Sequence, residues 1–228
     1  MKQELGLTRA RLKTPRAAAI AGIVFSVLLM TSLVLVRLSV PADPLEGGAW
    51  LSTRLDTVAL ALNMVPFAGI AFLWFIGVLR DRLGELEDRF FATVFFGSGL
   101  LFLAMLFVSA ALVKAIIMTY GTQTKGLLDA VTFTIARSLS YEIMNIYAIK
   151  MAGVFMISLS TISVRTRITP RWIAILGYAL ALLILFGSRY ISWTVLAFPL
   201  WVLLISVYIL IDNWRPPRGA AAGAPITS

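Results

Sequence analysis

The sequence contains neither cysteine nor histidine, and charged residues make up only 14% of its 228 positions. Without imidazoles and thiols, the chain cannot form metal or haem sites that need those ligands, cysteine nucleophiles or Ser-His-Asp triads. Disulfide bonds are excluded as well, so cysteine usage indicates no redox compartment. We therefore predict no metal ion and no cofactor.

The small share of charge accompanies a large share of apolar residues. Hydrophobic residues make up 60% of the chain, and its mean hydropathy is +0.91. A soluble domain carries about 25% charged residues to keep its surface hydrated. Lipid must therefore cover much of this chain, and we predict one all-α membrane domain with the bilayer as its main partner.

The net charge of +9 comes from 20 basic and 11 acidic residues. In a soluble protein such an excess would suggest nucleic-acid binding. Here the basic residues form short clusters between apolar runs, where they set membrane orientation and meet anionic head groups. We predict no nucleic-acid partner.

The apolar runs predict a six-helix transmembrane bundle, because a span of about 20 residues crosses the hydrocarbon core. The predicted spans are about 17–36, 57–79, 91–113, 143–164, 172–187 and 193–211. The basic segment 1–16 precedes them, and the Pro-, Gly- and Ala-rich segment 213–228 is predicted as a disordered tail. A signal peptide, the rival interpretation of the first run, has a shorter apolar region of about 7–15 residues.

The segment 127–164 contains neither proline nor paired glycines, and as one helix it would extend about 57 Å. That is nearly twice the thickness of the hydrocarbon core. We therefore predict that only 143–164 spans the membrane and that an external amphipathic segment precedes it. The residues predicted to face water there are Asp129, Arg137, Ser138 and Glu142.

The distribution of basic residues predicts the orientation. Most of them fall in the segments 1–16, 80–89, 165–171 and 213–218, at the same predicted side of the bundle. Cytoplasmic loops carry an excess of Lys and Arg. We predict a multi-pass protein of the plasma membrane with both termini in the cytoplasm.

Strongly polar side chains inside the spans concentrate in the predicted external half, and hydrocarbon penalises them unless they face a partner or a cavity. The candidate ligand-binding residues are Lys150, Glu142, Asn145, Asn63 and Asp56. Two interpretations of Lys150 stay open. Its stem can reach outward to the head groups, or it lies in an outward-facing pocket with Glu142, Asp56 or Asn63. When Arg37, Lys114 and Arg189 at the external helix ends are included, bases outnumber acids in this half, so the predicted guest is a small anion or an anionic lipid head group.

Other polar positions have simpler interpretations. Arg37, Lys114 and Arg189 lie at predicted helix ends and are interpreted as interfacial anchors. Pro66, shortly after Asn63, predicts a kink. Such a break can expose carbonyls for ligand coordination, or a neighbouring group can satisfy the freed carbonyl.

Small residues recur at four-residue spacing on two predicted spans, which lets helices approach closely. They are Ala18, Gly22 and Ser26 on the first and Gly177 and Ala181 on the fifth. The pattern indicates helix packing, either within the chain or between copies in a homo-oligomer.

The stretch FLWFIGVLRDRLGELEDRFFATVFFGSGLLF, Phe72 to Phe102, resembles a segment of uncharacterised integral membrane proteins of high-GC actinobacteria. The resemblance covers the second and third spans with their loop, under a fifth of the chain. It implies a bacterial plasma-membrane protein, and it carries no activity or site residue.

Three functional classes follow. The first is a carrier or channel that binds a small anionic solute or a lipid head group in the outward-facing pocket. The second is a non-catalytic accessory or scaffold subunit of a larger membrane complex, which small-residue faces fit equally well. The third is a lipid-modifying membrane enzyme that relies on carboxylates and lysines.

Overall fold

The computed structural model describes residues 2–41, 50–83, 89–122, 130–166, 169–187 and 193–212. Within these ranges every regular element is a helix. The α-helices are α1 (Lys2–Ser39), α2 (Trp50–Thr53), α3 (Leu55–Leu83), α4 (Arg89–Thr122), α5 (Ala130–Glu142), α6 (Ile149–Thr166), α7 (Arg171–Gly187) and α8 (Ala197–Asp212). A π-helix, Ile143–Ala148, joins α5 to α6, and a 3-10 turn, Thr194–Leu196, precedes α8.

The prediction of an all-α membrane bundle is confirmed. Among the described residues, five stretches are long and apolar enough to cross a membrane. They are Arg16–Ser39, Leu55–Arg80, Phe90–Thr119, Val131–Thr166 and Thr194–Asp212. The apolar helix α7 has 17 residues and extends about 26 Å, slightly less than the hydrocarbon core of about 30 Å. A sixth span at α7 stays a prediction.

Helix α1 begins at Lys2, well before the predicted start of the first span at residue 17. The predicted disordered tail, 213–228, lies outside the described residues, as do Asp129, predicted to face water, and Arg189, predicted as an anchor.

Contacts between named side chains show that α1 and α3 run antiparallel. Ser32 Oγ donates a hydrogen bond to the carbonyl of Ala61 at 2.9 Å, while earlier in α1 Gly22 lies against Phe75. Helix α4 runs antiparallel to α3, since Lys114 bonds to Asn63 at one end of this helix pair and Arg80 lies over the ring of Phe96 at the other.

The continuous segment from α5 to α6 runs antiparallel to α4, and it defines the two ends of the bundle. Ser140 bonds to Ser109, and Arg165 lies 4.8 Å from the ring centre of Phe91. We call the end that contains Ser39, the start of α3 and α5 the Ser39 end. The opposite end, with the end of α6 and the start of α7, is the Thr166 end.

The segment predicted as a separate external element is continuous with the fourth span. Residues Val131–Thr166 form one helical stretch of 36 residues, with the π-helix inside it. The prediction that Arg137 faces water is wrong, because only 6% of its surface is exposed. Arg137 faces the interior of the bundle, whereas Glu142 is exposed.

Five phenylalanine rings fill the centre of the bundle. The residues are Phe25, Phe72, Phe102, Phe155 and Phe198, each at most 1% exposed. The centroid distance is 4.6 Å for Phe25 and Phe72 and 4.8 Å for Phe102 and Phe198. Such tilted and edge-to-face contacts are favourable beyond the area that they bury. We call these rings the phenylalanine layer.

The small residues lie at close helix contacts within the chain. Ala18, Gly22, Ser26, Gly177 and Ala181 are all buried. A Cβ atom added at Gly22 would overlap Ser206 Oγ of α8 and lie 2.8 Å from Phe75 Cδ2 of α3. Gly22 therefore lets α1 approach two helices that are distant from each other in sequence.

Gly177 has the same role on α7. A Cβ atom there would overlap Ser160 Oγ of α6 and lie 2.7 Å from Trp201 Cζ2 of α8. The ring nitrogen of Trp201 donates to the carbonyl of Ile173 at 3.3 Å, so this tryptophan joins α8 to α7 beside the glycine.

Candidate ligand-binding chamber

A cavity of about 160 Å³ lies at the Ser39 end of the bundle. Its walls come from α1, α3, α4, α5, the π-helix and the segment around the 3-10 turn. The polar residues that line it are Ser32, Arg37, Ser109, Arg137, Ser140, Tyr141 and Asn145. Most of the other described lining residues are aliphatic, among them Leu29, Leu33, Val36, Leu62, Val65, Leu106 and Val113. We call this cavity the chamber.

Arg137 reaches the chamber because of its register on α5. Ser140, Tyr141, Met144 and Asn145 follow it at spacings of three, four, seven and eight residues, which place them on one helix face. Arg137 Nη2 donates a hydrogen bond to the carbonyl of Pro41 at 3.0 Å. A buried cation needs such polar partners, because burial without them is costly.

Arg37 brings a second cation to the chamber from the last turn of α1. It is partly buried and lines the chamber, whereas the sequence predicted an interfacial anchor. None of the described residues that line the chamber is acidic. The described lining is therefore basic, and a charge in a mostly apolar cavity acts more strongly than one in water because the low dielectric weakens it less.

Two serines tie the wall of the chamber together. Ser109 Oγ of α4 lies 3.0 Å from the carbonyl of Ser140, and Ser140 Oγ lies 3.0 Å from the carbonyl of Ser109. The two hydroxyl oxygens are 2.9 Å apart. Both side chains are buried, so this reciprocal pair fixes α4 against α5 without exposing a polar group to lipid.

The π-helix contributes Met144 and Asn145 to the chamber. Asn145 Nδ2 donates to the carbonyl of Tyr141 at 3.0 Å, which orients the amide within its own helix. Single π-turns inside α-helices are frequent at functional sites. Here the wider turn begins two residues after Tyr141 and contributes Met144 and Asn145 to the chamber wall.

The five predicted ligand-binding residues do not lie together in one site. Asn145 lines the chamber, whereas Lys150, Glu142 and Asp56 are exposed and line neither described cavity. Lys150 lies just after the π-helix, and its side chain is exposed at the surface rather than among the residues that line the chamber. Within the described residues, no hydrogen bond or ion pair joins Lys150 to Glu142, Asp56 or Asn63.

Asn63 instead pairs with Lys114 in a separate groove between α3 and α4. Lys114 Nζ donates to Asn63 Oδ1 at 2.8 Å. The groove has a volume of about 260 Å³ and is lined by Leu62, Asn63, Val65, Pro66, Phe107, Ala110, Ala111 and Lys114. We call it the α3–α4 groove. Lys114, predicted as an anchor, thus connects two helices.

The chamber combines two arginines, an amide and a mostly aliphatic wall. This chemistry suits a ligand with an anionic group and an apolar part, since charge-assisted hydrogen bonds hold the first and burial favours the second. The described lining contains no carboxylate that could act as an acid or base. Comparison of the chain with protein-family models, with curated proteins and with solved structures gave no match.

Proposed function

We propose that this protein binds an anionic amphiphile in the chamber. Arg37 and Arg137 hold the charged group, and aliphatic side chains such as Leu29 and Val65 receive part of the apolar chain. The observation that carries the proposal is that two arginines, Arg37 and Arg137, line the same mostly aliphatic cavity.

The expected contribution of each arginine is substantial. A hydrogen bond to a charged group contributes about 1.5–3 kcal/mol, which corresponds to about 10- to 100-fold in affinity. Because Arg137 is 6% exposed, water screens its charge less than that of a surface arginine. An anion without an apolar part gains the hydrogen bonds to the arginines but not the burial of an apolar chain. We therefore expect amphiphiles to bind more tightly than simple anions.

We favour a binding or carrier role over an open channel. The phenylalanine layer lies between the chamber and the Thr166 end, and its five rings fill the centre of the bundle. A carrier would have to open this layer to deliver its ligand to the other side. A pore for hydrated anions would need a polar path there instead.

The proposed location is a bacterial plasma membrane with the chamber on the outer side. Arg80, Arg165 and Arg171 lie at the Thr166 end, and the positive-inside rule places such clusters in the cytoplasm. The resemblance of residues 72–102 to actinobacterial membrane proteins supports the bacterial assignment.

Native mass spectrometry of the purified full chain in neutral detergent micelles tests the proposal. The probes are phosphatidic acid and a diacylglycerol with the same acyl chains, which lacks only the phosphate. We expect tight binding of phosphatidic acid, weak binding of diacylglycerol, and a loss of at least about tenfold with Arg37→Gln or Arg137→Gln.

Arg54→Gln is the matched control, because Arg54 is an exposed arginine at the Ser39 end that does not line the chamber. Equal binding of the two probes would contradict the proposal. So would an equal loss with Arg54→Gln, because the effect would then come from net charge alone.

A second candidate is a non-catalytic subunit of a larger membrane complex. Lys150 is exposed within the candidate span Val131–Thr166, where a lipid-facing lysine costs about 2.5–3.5 kcal/mol unless it reaches the interface or a partner. A two-fold homodimer with Lys150 at its axis would place two like-charged lysines opposite each other. A partner helix with an acidic side chain fits this position better.

The test compares wild type with Lys150→Met after extraction from the native membrane in polymer nanodiscs. A partner of fixed stoichiometry that is lost in the variant would support the subunit role. Identical monomeric particles from both proteins would contradict it.

A further inference from the structure

The chamber and the α3–α4 groove share a wall. Leu62, Val65 and Ala110 line both cavities, so a single layer of side chains separates them. All three are apolar, and Ala110 presents only a methyl group. The wall is therefore thin, and displacing it exposes no polar side chain.

The groove faces away from the bundle axis. Asn63 and Pro66 of α3 and Ala111 of α4 are exposed, and Phe67 beside them is 65% exposed. In a membrane protein such a surface is in contact with lipid. The chamber thus lies one wall away from the surrounding bilayer.

The groove has two definite boundaries. Toward the Ser39 end, Lys114 and Asn63 bridge α4 and α3 with their 2.8 Å hydrogen bond. Toward the Thr166 end the helices touch closely, because a Cβ atom added at Gly69 would overlap the ring of Phe107 and lie 2.9 Å from Leu103 Cδ1. Between these two contacts, α3 and α4 form a lateral opening toward the bilayer.

Pro66 weakens α3 at this opening. It lies inside the helix and has no N–H to donate to the carbonyl of Leu62, one of the wall residues. A helix that lacks one of its hydrogen bonds bends more easily at that point. The wall between the two cavities therefore lies at the point where α3 bends most easily.

We propose that the α3–α4 groove is the passage through which the ligand reaches the chamber sideways from the bilayer. The ligand is then a membrane lipid with an anionic head group, not an anion dissolved in water. This inference rests on the proposed function and names the source of its ligand. Lys114 meets the head group first, exchanging the amide of Asn63 for a charged oxygen, and Arg37 and Arg137 receive it inside.

The volumes support a ligand shared between the two cavities. An apolar cavity of about 150 Å³ holds a molecule the size of benzene. The chamber, at about 160 Å³, therefore has room for only part of a lipid. The adjoining groove of about 260 Å³ is the space for the rest.

The test uses the full chain in phosphatidylcholine nanodiscs doped with phosphatidic acid that carries a diazirine on one acyl chain. After illumination, mass spectrometry measures labelling at Leu29, a chamber residue on α1 that is 1% exposed and does not line the groove. Ala111→Trp fills the groove. Ala104→Trp is the matched control, because Ala104 is an exposed alanine two turns away on the same face of α4.

Butyl phosphate, a water-soluble probe, is titrated against the same proteins in a second arm. We expect Ala111→Trp to lose the labelling of Leu29, Ala104→Trp to keep it, and both to bind butyl phosphate as wild type does. Undiminished labelling in Ala111→Trp would overturn the lateral passage and leave the proposed function standing. Butyl phosphate binding without any lipid label at Leu29 in wild type would also overturn it. If neither probe bound wild type, the proposed function itself would fail.

Discussion

Arg137 donates a hydrogen bond from Nη2 to the main-chain carbonyl of Pro41 at 3.0 Å. The two residues are 96 positions apart, and the bond ties the chain just after α1 to the buried face of α5. Arg137 also lines the chamber. One side chain therefore supports the wall and supplies part of its charge.

These two roles can be separated by substitution. Arg137→Lys keeps the charge but lacks the planar fork of donors, so we expect it to retain part of the phosphatidic acid binding that Arg137→Gln loses. Lipid titration followed by native mass spectrometry measures the difference. If Lys and Gln reduced binding equally, the charge of Arg137 would not be what the ligand recognises.

The serine pair between α4 and α5 predicts coupling. Ser109→Ala and Ser140→Ala should each lower the free energy of unfolding. The double variant should lose less than the sum, because either single change already removes the contact between the two hydroxyls, while the remaining hydroxyl keeps its bond to the main-chain carbonyl. Interhelical hydrogen bonds in membranes contribute about 0.6 kcal/mol on average and up to about 1.7 kcal/mol. Reversible unfolding in mixed micelles gives the double-mutant cycle, and strictly additive effects would contradict the reciprocal geometry.

The glycine at the α6–α7–α8 contact predicts a steric effect. Gly177→Ala should destabilise the protein by about 1–3 kcal/mol, because the added methyl group meets Ser160 and Trp201. Gly97→Ala is the control, since a Cβ atom at Gly97 meets nothing within 4 Å. At this uncrowded, half-buried helix position alanine is favoured over glycine by about 1 kcal/mol. Thermal unfolding of the two variants should therefore shift in opposite directions.

Lys150 is the residue at which sequence and structure lead to different expectations. As it is exposed and lines neither cavity, Lys150→Met should leave phosphatidic acid binding within about twofold of wild type, a difference of ~0.4 kcal/mol. The same titration in micelles measures this. A large loss of affinity would indicate that the ligand binds at Lys150 and would contradict its binding in the chamber.

The bundle and its close contacts could be predicted from the sequence because they depend on local patterns. Apolar runs of sufficient length indicate spans, and small residues such as Gly22 and Gly177 mark faces where helices touch. The helix that packs against each of these faces could not be predicted. That Gly22 meets Ser206 of α8 depends on how distant helices assemble, and nothing local specifies it.

The residues of the chamber, apart from Asn145, were not predicted as ligand-binding residues, and the anionic ligand stays a prediction. An excess of bases near the external side predicted an anionic ligand, yet the cations of the chamber are Arg37 and Arg137, which were interpreted as an anchor and a water-facing residue. The spacing of Arg137, Ser140, Tyr141, Met144 and Asn145 marks one helix face and could have identified it. Because the predicted fourth span begins at Ile143, this face was divided between two predicted elements. The Lys114–Asn63 bond joins two helices, and no local spacing indicates it.

A density map of the protein in nanodiscs that contain phosphatidic acid tests the central claim most directly. We expect density for a phosphate in contact with Arg37 and Arg137, continuous with an acyl chain, and an empty chamber in nanodiscs of phosphatidylcholine alone. A chamber that is equally empty in both lipids, or density that avoids both arginines, would contradict the binding of an anionic amphiphile.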